Sequence, residues 1–220
     1  MVKKVGVVLS GCGVYDGAEI QEAVLTLLAI DRAGAKAICM APDIEQMHVI
    51  DHITGQESGE KRNVLRESAR ISRGDIKDIA DVKAEDIDAL VFPGGFGAAK
   101  NLCNFAVNGA DCSVQPEVAR LTKEMVESKK PVGAACIAPA LIAAIFKGTA
   151  ISPNLTIGSD AGTAEAIELM GSKHSNCQVR ELNVDRENRI VSTPAYMLGK
   201  GISEVAEGIE KMVNSVIDLI

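Results

Sequence analysis

KVGVVL at residues 4–9, SGCGVYDG at residues 10–17 and AKAICMA at residues 35–41 determine the predicted fold of this chain. The first and last stretches are short apolar runs typical of buried strands, and a helical pattern lies between them over about residues 19–33. Strand, helix and strand in this order form a βαβ unit. Because near-continuous apolar strands are buried on both faces, the unit predicts a parallel sheet that is covered on both sides.

The rest of the chain continues this alternation of strands and helices. Further strands are predicted at residues 89–92, 132–135 and 156–158, and a hairpin at residues 179–184 and 189–192. Further helices are predicted at residues 117–128, from about residue 139, at 163–170 and at 203–219, and a long loop at residues 96–115. Residues 42–83 are polar, with one helix candidate near residues 62–71, and predict an insertion or lid. Residues 1–220 are thus predicted to form a single domain, a three-layer α/β/α sandwich with a mainly parallel sheet.

Composition and charge exclude several classes of function. The 220 residues include 30 acidic and 23 basic side chains, which gives a net charge of −7, and 47% are hydrophobic. This balance is typical of a packed globular protein and does not fit a surface that binds nucleic acid or anionic membranes. Aromatic residues make up only 3% of the chain and there is no Trp, so a base-stacking surface is not expected either.

The uncharged stretch PVGAACIAPALIAAIF at residues 131–146 has 16 residues and is interrupted by Pro139. About 20 residues are needed to cross a bilayer, so we predict a buried strand, a turn and a buried helix here, and no membrane partner. The six cysteines are dispersed along the chain, and the opening MVKK leads directly into the first predicted strand. We therefore expect a reducing compartment, namely the cytoplasm, or the mitochondrial matrix if a transit peptide has been removed.

Three segments follow predicted strands and are expected to meet at the carboxyl edge of the sheet, where ligands bind in open parallel sheets. They are residues 10–22, residues 93–101 and Cys136. Cys136 stands where an apolar strand meets a helix, which is the position of a nucleophile elbow, and a helix N-terminus lowers the pKa of a thiol. The alternative is a buried and inert cysteine.

Metal and dinucleotide sites are disfavoured. His48 and His52 are four residues apart, a spacing that binds metal on a helix, but they lie in a predicted loop without a further ligand. Gly11, Gly13 and Gly17 depart by one residue from the spacing of a dinucleotide fingerprint, and tight turns explain them better. We therefore predict no metal and no cofactor.

Several segments resemble the PfpI-type, class I glutamine-amidotransferase-like superfamily. They are GAACIAP at residues 133–139, PGGFG at residues 93–97 and GAEIQEAV at residues 17–24. Within the superfamily, LSGCGVYD at residues 9–16 and TPAYM at residues 193–197 are similar to the ElbB subfamily, which carries an isoprenoid biosynthesis label. The resemblance covers essentially the whole chain and implies a flavodoxin-like fold and a homodimer.

The resemblance also implies roles for four residues. Cys136 matches the reactive cysteine, and Glu22 matches the carboxylate that forms a hydrogen bond with its thiol. Gly95 and Ile137 match the positions whose backbone N–H groups form the oxyanion hole. Glu19 is the alternative to Glu22.

Helical periodicity does not support the role of Glu22. The apolar residues Ile20, Val24, Leu27 and Leu28 lie roughly opposite Glu22 on the predicted helix. Amphipathicity alone therefore predicts a glutamate in solvent.

The histidines depart from the pattern of related enzymes. Ile137 stands where the protease-like members have a His, and His174 is the only histidine downstream of Cys136. A Cys-His-Glu triad in the amidotransferase order is therefore not expected, which disfavours the hydrolysis of glutamine or peptides.

Five polar or reactive residues are candidates for lining a pocket beside the cysteine, namely Cys12, Tyr15, Asp16, Asn101 and Tyr196. Each side chain also has an alternative role, Cys12 as a redox neighbour and the others as hydrogen-bonding groups that stabilise the loops.

The resemblance implies a glyoxalase or deglycase that needs no cofactor. Such an enzyme converts glyoxal or methylglyoxal to a 2-hydroxy acid through a hemithioacetal on Cys136, so the expected partner is a small dicarbonyl or a glycated substrate. The alternative is a non-catalytic redox or stress sensor, or a metabolic accessory protein, that uses the same cysteine.

Overall fold

The computed structural model describes residues 2–220. The strands are β1 (Lys4–Val8), β2 (Lys36–Ala41), β3 (Lys77–Asp78), β4 (Ala89–Phe92), β5 (Val132–Ala135), β6 (Asn154–Leu155), β7 (Lys173–His174), β8 (Asn183–Asp185) and β9 (Ile190–Thr193). The main sheet has seven strands in the order β3-β2-β1-β4-β5-β9-β8, and β6 pairs with β7 separately. All pairs in the main sheet are parallel except the β8–β9 hairpin.

Helices cover both faces of the sheet. They are α1 (Ile20–Arg32), α2 (Val64–Ile71), α3 (Phe96–Lys100), α4 (Phe105–Asn108), α5 (Pro116–Glu127), α6 (Ala138–Phe146), α7 (Ala161–Leu169) and α8 (Ile202–Asp218). One apolar cluster joins the sheet to α1, α2 and α8, and a second joins it to α3, α5, α6 and α7. The predicted three-layer sandwich with a mainly parallel sheet is confirmed.

The strand order determines where a ligand can bind. The chain proceeds from β1 to β2 on one side and later continues from β4 to β5 on the other side of β1. The sheet therefore has its topological switch point between β1 and β4, and the crevice outside their carboxyl ends is where such sheets bind ligands. The segments that follow β1, β4 and β5 all lie there.

The structure corrects the interpretation of residues 42–83. Helix α2 buries Val64 in the core, and β3 extends the sheet through the pairing of Met40 with Lys77. Ile79 and Val82 are also buried in the core. Residues 42–63 form no helix or strand beyond isolated bridges. The high average polarity of the segment thus concealed an edge strand and the packing of the predicted helix.

Other local predictions need smaller corrections. The loop predicted at residues 96–115 contains α3 and α4, and the strand predicted at residues 156–158 lies two residues earlier, at Asn154–Leu155. Residues 131–146 form β5, a turn and α6 as predicted, with Pro139 in the first turn of the helix. None of the helices within residues 2–220 combines the length and the apolar composition needed to span a bilayer.

Candidate active site

Cys136 lies in the sharp turn between β5 and α6. Its φ is +60°, a left-handed conformation that non-glycine residues rarely adopt. Its backbone N–H donates to the carbonyl oxygen of Thr193 at 3.0 Å, so the neighbouring strand β9 holds the turn in place. Strained backbone of this kind concentrates at functional sites, and the predicted elbow is thus present in the structure.

Glu22 lies in the first turn of α1 and its side chain contacts the Cys136 thiol. It is fully buried, and its carboxyl group forms a hydrogen bond with Cys136. Its Oε2 accepts the backbone N–H of Gly94 at 2.8 Å, and its Oε1 accepts the backbone N–H of Tyr196 at 3.1 Å. Burial raises the pKa of Glu22 to about 7, although these hydrogen bonds act in the opposite direction.

The orientation of α1 is opposite to the one that amphipathicity predicts. The buried residues of the helix are Glu22, Ala23, Thr26, Ala29 and Ile30. Three of the four apolar residues of the predicted inner face are exposed instead, Ile20 at 45%, Val24 at 49% and Leu28 at 40%, and Leu27 is partly buried. Small side chains allow α1 to pack against α8, and the same face carries Glu22 to the thiol.

Gly94 permits the approach of the acid and the thiol. A Cβ atom at this position would lie 2.3 Å from the Cβ of Cys136 and 2.6 Å from Oε2 of Glu22. Next to it, Gly95 has a φ of +96°, and a Cβ there would lie 2.3 Å from the backbone nitrogen of Glu19. The role of Gly94 was not predicted from the sequence, although the consecutive glycines after β4 are a signal of close backbone approach.

The acidity of Cys136 differs from the expectation. Burial and the neighbouring Glu22 carboxyl raise the pKa of the thiol well above its ordinary value. The backbone N–H groups of Gly95 and Ile137 contact the sulfur and act in the opposite direction, but they do not compensate. A helix N-terminus was expected to lower this pKa, and desolvation outweighs it. The thiol is therefore protonated at rest, with Glu22 beside it as a proton acceptor.

A pocket of about 430 Å³ opens above the cysteine. Phe96, Phe105 and Met197 give it a largely apolar wall, and Glu19 and Asp160 are its acidic groups. No Lys, Arg or His lines it among the residues that the structure describes. The pocket therefore suits a neutral molecule better than an anion.

Glu19 is the N-cap residue of α1 and differs from Glu22 in its surroundings. Its carboxylate accepts the backbone N–H of Glu22 at 2.6 Å, and its side chain also lines the pocket. Burial raises the pKa of Glu19 as well. Glu22, however, is the carboxyl group that contacts the Cys136 sulfur.

Of the five candidate pocket residues, the structure places only Tyr196 in the lining. Asn101 is buried, and its Nδ2 donates to the carbonyl oxygens of Ser10 at 2.8 Å and Asp16 at 2.9 Å. The Asp16 carboxylate in turn accepts the backbone N–H of Ile50 at 2.8 Å. Asn101 and Asp16 thus stabilise the loops that flank the site.

Tyr15 and Cys12 also lie outside the lining of this pocket. The Tyr15 ring lies against the ring of His52, with centroids 4.9 Å apart, and borders a smaller neighbouring cavity. Cys12 is partly buried, and burial raises the pKa of its thiol.

The remaining histidines have structural partners. His48 Nε2 lies 3.6 Å from the Glu57 carboxylate, and His174 Nε2 accepts the backbone N–H of Ile157 at 3.2 Å. Neither histidine lines the pocket of the cysteine. Within residues 2–220, no group of three or more His, Cys, Asp or Glu side chains is placed to hold a metal ion.

Comparisons with known proteins show which family the chain belongs to. No protein-family model matches the chain. It is 50% identical to the human protein called glutamine amidotransferase-like class 1 domain-containing protein 3, mitochondrial, over 98% of this chain and 83% of that protein. It superposes with a TM-score of 0.93 on the isoprenoid biosynthesis protein with amidotransferase-like domain from Ehrlichia chaffeensis, at 39% identity and over 99% of both chains.

A more distant structure shares the fold alone. Glyoxalase III from Candida albicans superposes with a TM-score of 0.62 at 13% identity, over 99% of this chain and 97% of that one. The level of identity to the human and Ehrlichia proteins is sufficient to establish kinship over nearly the full chain. The chain belongs to the ElbB-like branch of the PfpI-type, class I glutamine-amidotransferase-like superfamily.

Proposed function

We propose that this protein is a glyoxalase or deglycase that acts without a cofactor and forms a hemithioacetal on Cys136. The observation that carries the proposal is the fully buried Glu22 carboxyl in contact with the Cys136 thiol. A carboxyl with a pKa of about 7 is suited to accept and return protons near neutral pH.

The first step is addition of the sulfur to an aldehyde. Glu22 accepts the proton of the Cys136 thiol as the sulfur attacks the carbonyl carbon of glyoxal or methylglyoxal. The developing oxyanion is stabilised by the backbone N–H groups of Gly95 and Ile137, which contact the sulfur in the free protein. Glu22 then returns its proton to this oxygen, which completes the hemithioacetal.

The second step moves a proton between the two carbons. Glu22, again a carboxylate, takes the C–H proton of the hemithioacetal to give an enediolate and delivers it to the neighbouring carbon. The hydroxyl proton on the first carbon passes to the oxygen of the second. The product is a 2-hydroxyacyl thioester on Cys136, and water hydrolyses it to glycolate or lactate and the free thiol. The sum is one dicarbonyl plus one water, so the reaction requires no external oxidant or reductant.

The pocket supports a neutral carbonyl substrate. Its apolar wall and its two carboxyl groups, Glu19 and Asp160, disfavour anions. Its volume of about 430 Å³ is larger than a two-carbon dicarbonyl needs, which leaves room for an early glycation adduct. The placement of His174 away from the pocket argues against a Cys-His-Glu triad and hence against glutamine hydrolysis.

The alternative of a redox or stress sensor that oxidises Cys136 fits the site less well. Peroxides react with thiolates, and burial keeps the Cys136 thiol protonated.

We further propose that the protein works in the mitochondrial matrix and not in the cytoplasm, because the human relative is named as a mitochondrial protein. We also propose a homodimer, which sedimentation at known concentration tests.

The decisive experiment measures the consumption of glyoxal and methylglyoxal, with the product identified, in the absence of metal and glutathione. Wild type is compared with Cys136→Ser and Glu22→Gln, and Cys177→Ser serves as the control for loss of a thiol outside the pocket. We expect glycolate and lactate from wild type and the control and only background from Cys136→Ser. A folded wild type with a reduced Cys136 and no turnover would contradict the proposal.

A further inference from the structure

Two further cysteines flank α4, close to the wall of the pocket. The thiols of Cys103 and Cys112 form a hydrogen bond with each other, and neither takes part in a disulfide. Cys103 is buried, and its Sγ lies 3.3 Å from the carbonyl oxygen of Ala98. Cys112 is partly exposed and packs against the apolar cluster that contains Cys103.

Backbone contacts bring the segments that carry the two cysteines together. Cys103 forms an antiparallel bridge with Val114, and the backbone N–H of Asn104 donates to the carbonyl oxygen of Ser113 at 3.1 Å. The two ends of the loop at residues 103–114 are therefore paired with each other, and Cys112 lies close to this pairing in sequence. Cys103 and Cys112 both lie outside the strands of the main sheet, so a disulfide between them would not cross the sheet.

The two thiols differ in acidity, as an attacking and a resolving cysteine do. The hydrogen bond from Cys103 and the cation of Lys147 lower the pKa of Cys112 to about 7. Lys147 is held at this loop, because its Nζ lies 2.7 Å from the carbonyl oxygen of Ala110 and 3.1 Å from the carboxylate of Asp111. Burial and the same hydrogen bond raise the pKa of Cys103, which therefore remains a thiol.

We propose that Cys103 and Cys112 are a redox-active dithiol that hydroperoxides convert to an intramolecular disulfide. The Cys112 thiolate attacks the peroxide oxygen, the O–O bond breaks, and a sulfenic acid forms with release of water or an alcohol. The Cys103 sulfur then attacks the Cys112 sulfur and the S–O bond breaks, and the leaving hydroxide takes the Cys103 proton to form water. The two thiols lose two electrons and two protons to the peroxide.

The disulfide would act next to the candidate active site. Phe105 and Ala106 of α4 lie between the two cysteines in sequence and line the pocket above Cys136. A disulfide holds its sulfurs about 2.05 Å apart, closer than a hydrogen bond does, so the loop must adjust when the bond forms. Formation of the disulfide does not depend on the proposed dicarbonyl chemistry.

The experiment is a titration of the reduced full-length chain with hydrogen peroxide, followed by alkylation of free thiols and digestion with trypsin. The tryptic peptide from Asn101 to Arg120 contains Cys103 and Cys112 and no other cysteine. We expect this peptide to lose two hydrogens and to resist alkylation at peroxide doses that leave Cys136 and Cys177 free. Reduction with dithiothreitol should restore both thiols.

Two variants show the order of attack. With Cys103→Ser, Cys112 should gain oxygen as a sulfenic acid, and with Cys112→Ser, Cys103 should remain a thiol. The matched control Cys177→Ser should form the disulfide as wild type does. The proposal is overturned if both thiols of the wild-type peptide remain free after Cys136 has oxidised, or if the disulfides join two chains.

Discussion

The site of Cys136 and the pair formed by Cys103 and Cys112 contain the same functional group in different surroundings. Cys136 is 8% exposed and has a buried carboxyl as its partner, whereas Cys112 is partly exposed and has a thiol and a lysine as partners. Burial and a carboxyl raise the pKa of the first thiol, while a hydrogen bond and a cation lower the pKa of the second. The partner therefore determines the direction in which the pKa of each thiol shifts, and this difference underlies our proposals of proton transfer at one site and disulfide formation at the other.

Replacement of Glu22 tests the carboxyl side of this comparison and has the largest expected effect. Glu22→Gln keeps the size of the side chain and removes the proton acceptor beside Cys136. We expect kcat for dicarbonyl consumption to fall by about 10² to 10⁴-fold, the usual contribution of a general acid or base. Steady-state kinetics at fixed pH measures this loss.

Glu19→Gln is the matched control, because it removes a carboxyl from the same pocket and the same helix terminus. We expect a smaller loss than with Glu22→Gln, since Glu19 bonds to the backbone of Glu22 and not to the sulfur. The reverse order of the two losses would assign proton transfer to Glu19 and break the proposed pairing with Cys136.

The raised pKa of Glu22 predicts a dependence of stability on pH. Its pKa rises from an ordinary value of 4.5 to about 7 in the folded protein, so the folded state binds this proton more tightly than the unfolded state. The free energy of unfolding should therefore fall as the pH rises from about 4.5 to about 7, by about 3 kcal/mol from this group. Urea unfolding of wild type and Glu22→Gln across this range measures the difference.

Only the difference between the two proteins is assigned to Glu22, because the other groups titrate in both. We expect Glu22→Gln to gain stability relative to wild type as the pH rises. A constant difference across the range would show that Glu22 has an ordinary pKa, and its contact with Cys136 would then be that of a permanent carboxylate.

The glycine between the two groups gives the next largest effect. Gly94→Ala places a Cβ within 2.6 Å of both the Cys136 side chain and the Glu22 carboxylate, so one of them must move. A displacement of about 1 Å at reacting groups lowers turnover by about 100-fold. Gly201→Ala is the control, since a Cβ there meets nothing within 4 Å. Equal activity of both variants would show that the close approach does not matter.

The centre of the sheet followed from local patterns because β1, β2, β4 and β5 are largely apolar runs. The β1–α1–β2 unit and the elbow at Cys136 were predicted from such runs. Helix α2 was predicted near residues 62–71, but its packing against the core and strand β3 were missed. Both residues of β3 and half of those of α2 are polar, and only a few positions nearby, such as Val64 and Ile79, are buried. The average polarity of a segment does not reveal a few buried positions of this kind.

Sequence motifs predicted which residues form the site. They did not predict the burial and acidity of these residues, which depend on packing. The motifs identified Cys136, Glu22, Gly95 and Ile137, and these four residues are brought together. The burial of Glu22 was not predictable from periodicity, because small residues form the inner face of α1. The acidity of Cys136 was also missed, since desolvation depends on neighbours that are distant in sequence.

Cys112→Ser gives the smallest effect on turnover and separates the two cysteine sites. Cys112 does not line the pocket and its thiol contacts neither Glu22 nor Cys136, so under reducing conditions we expect turnover within about twofold of wild type, as for a substitution at the surface. After peroxide treatment at a dose that spares Cys136, the wild-type KM should shift, because α4 is then held by the disulfide, while that of Cys112→Ser should not. Kinetics before and after peroxide, with dithiothreitol reversal, measures both. If the KM shifts equally in both proteins, the oxidant acts elsewhere, and the pair at residues 103 and 112 has no influence on the pocket.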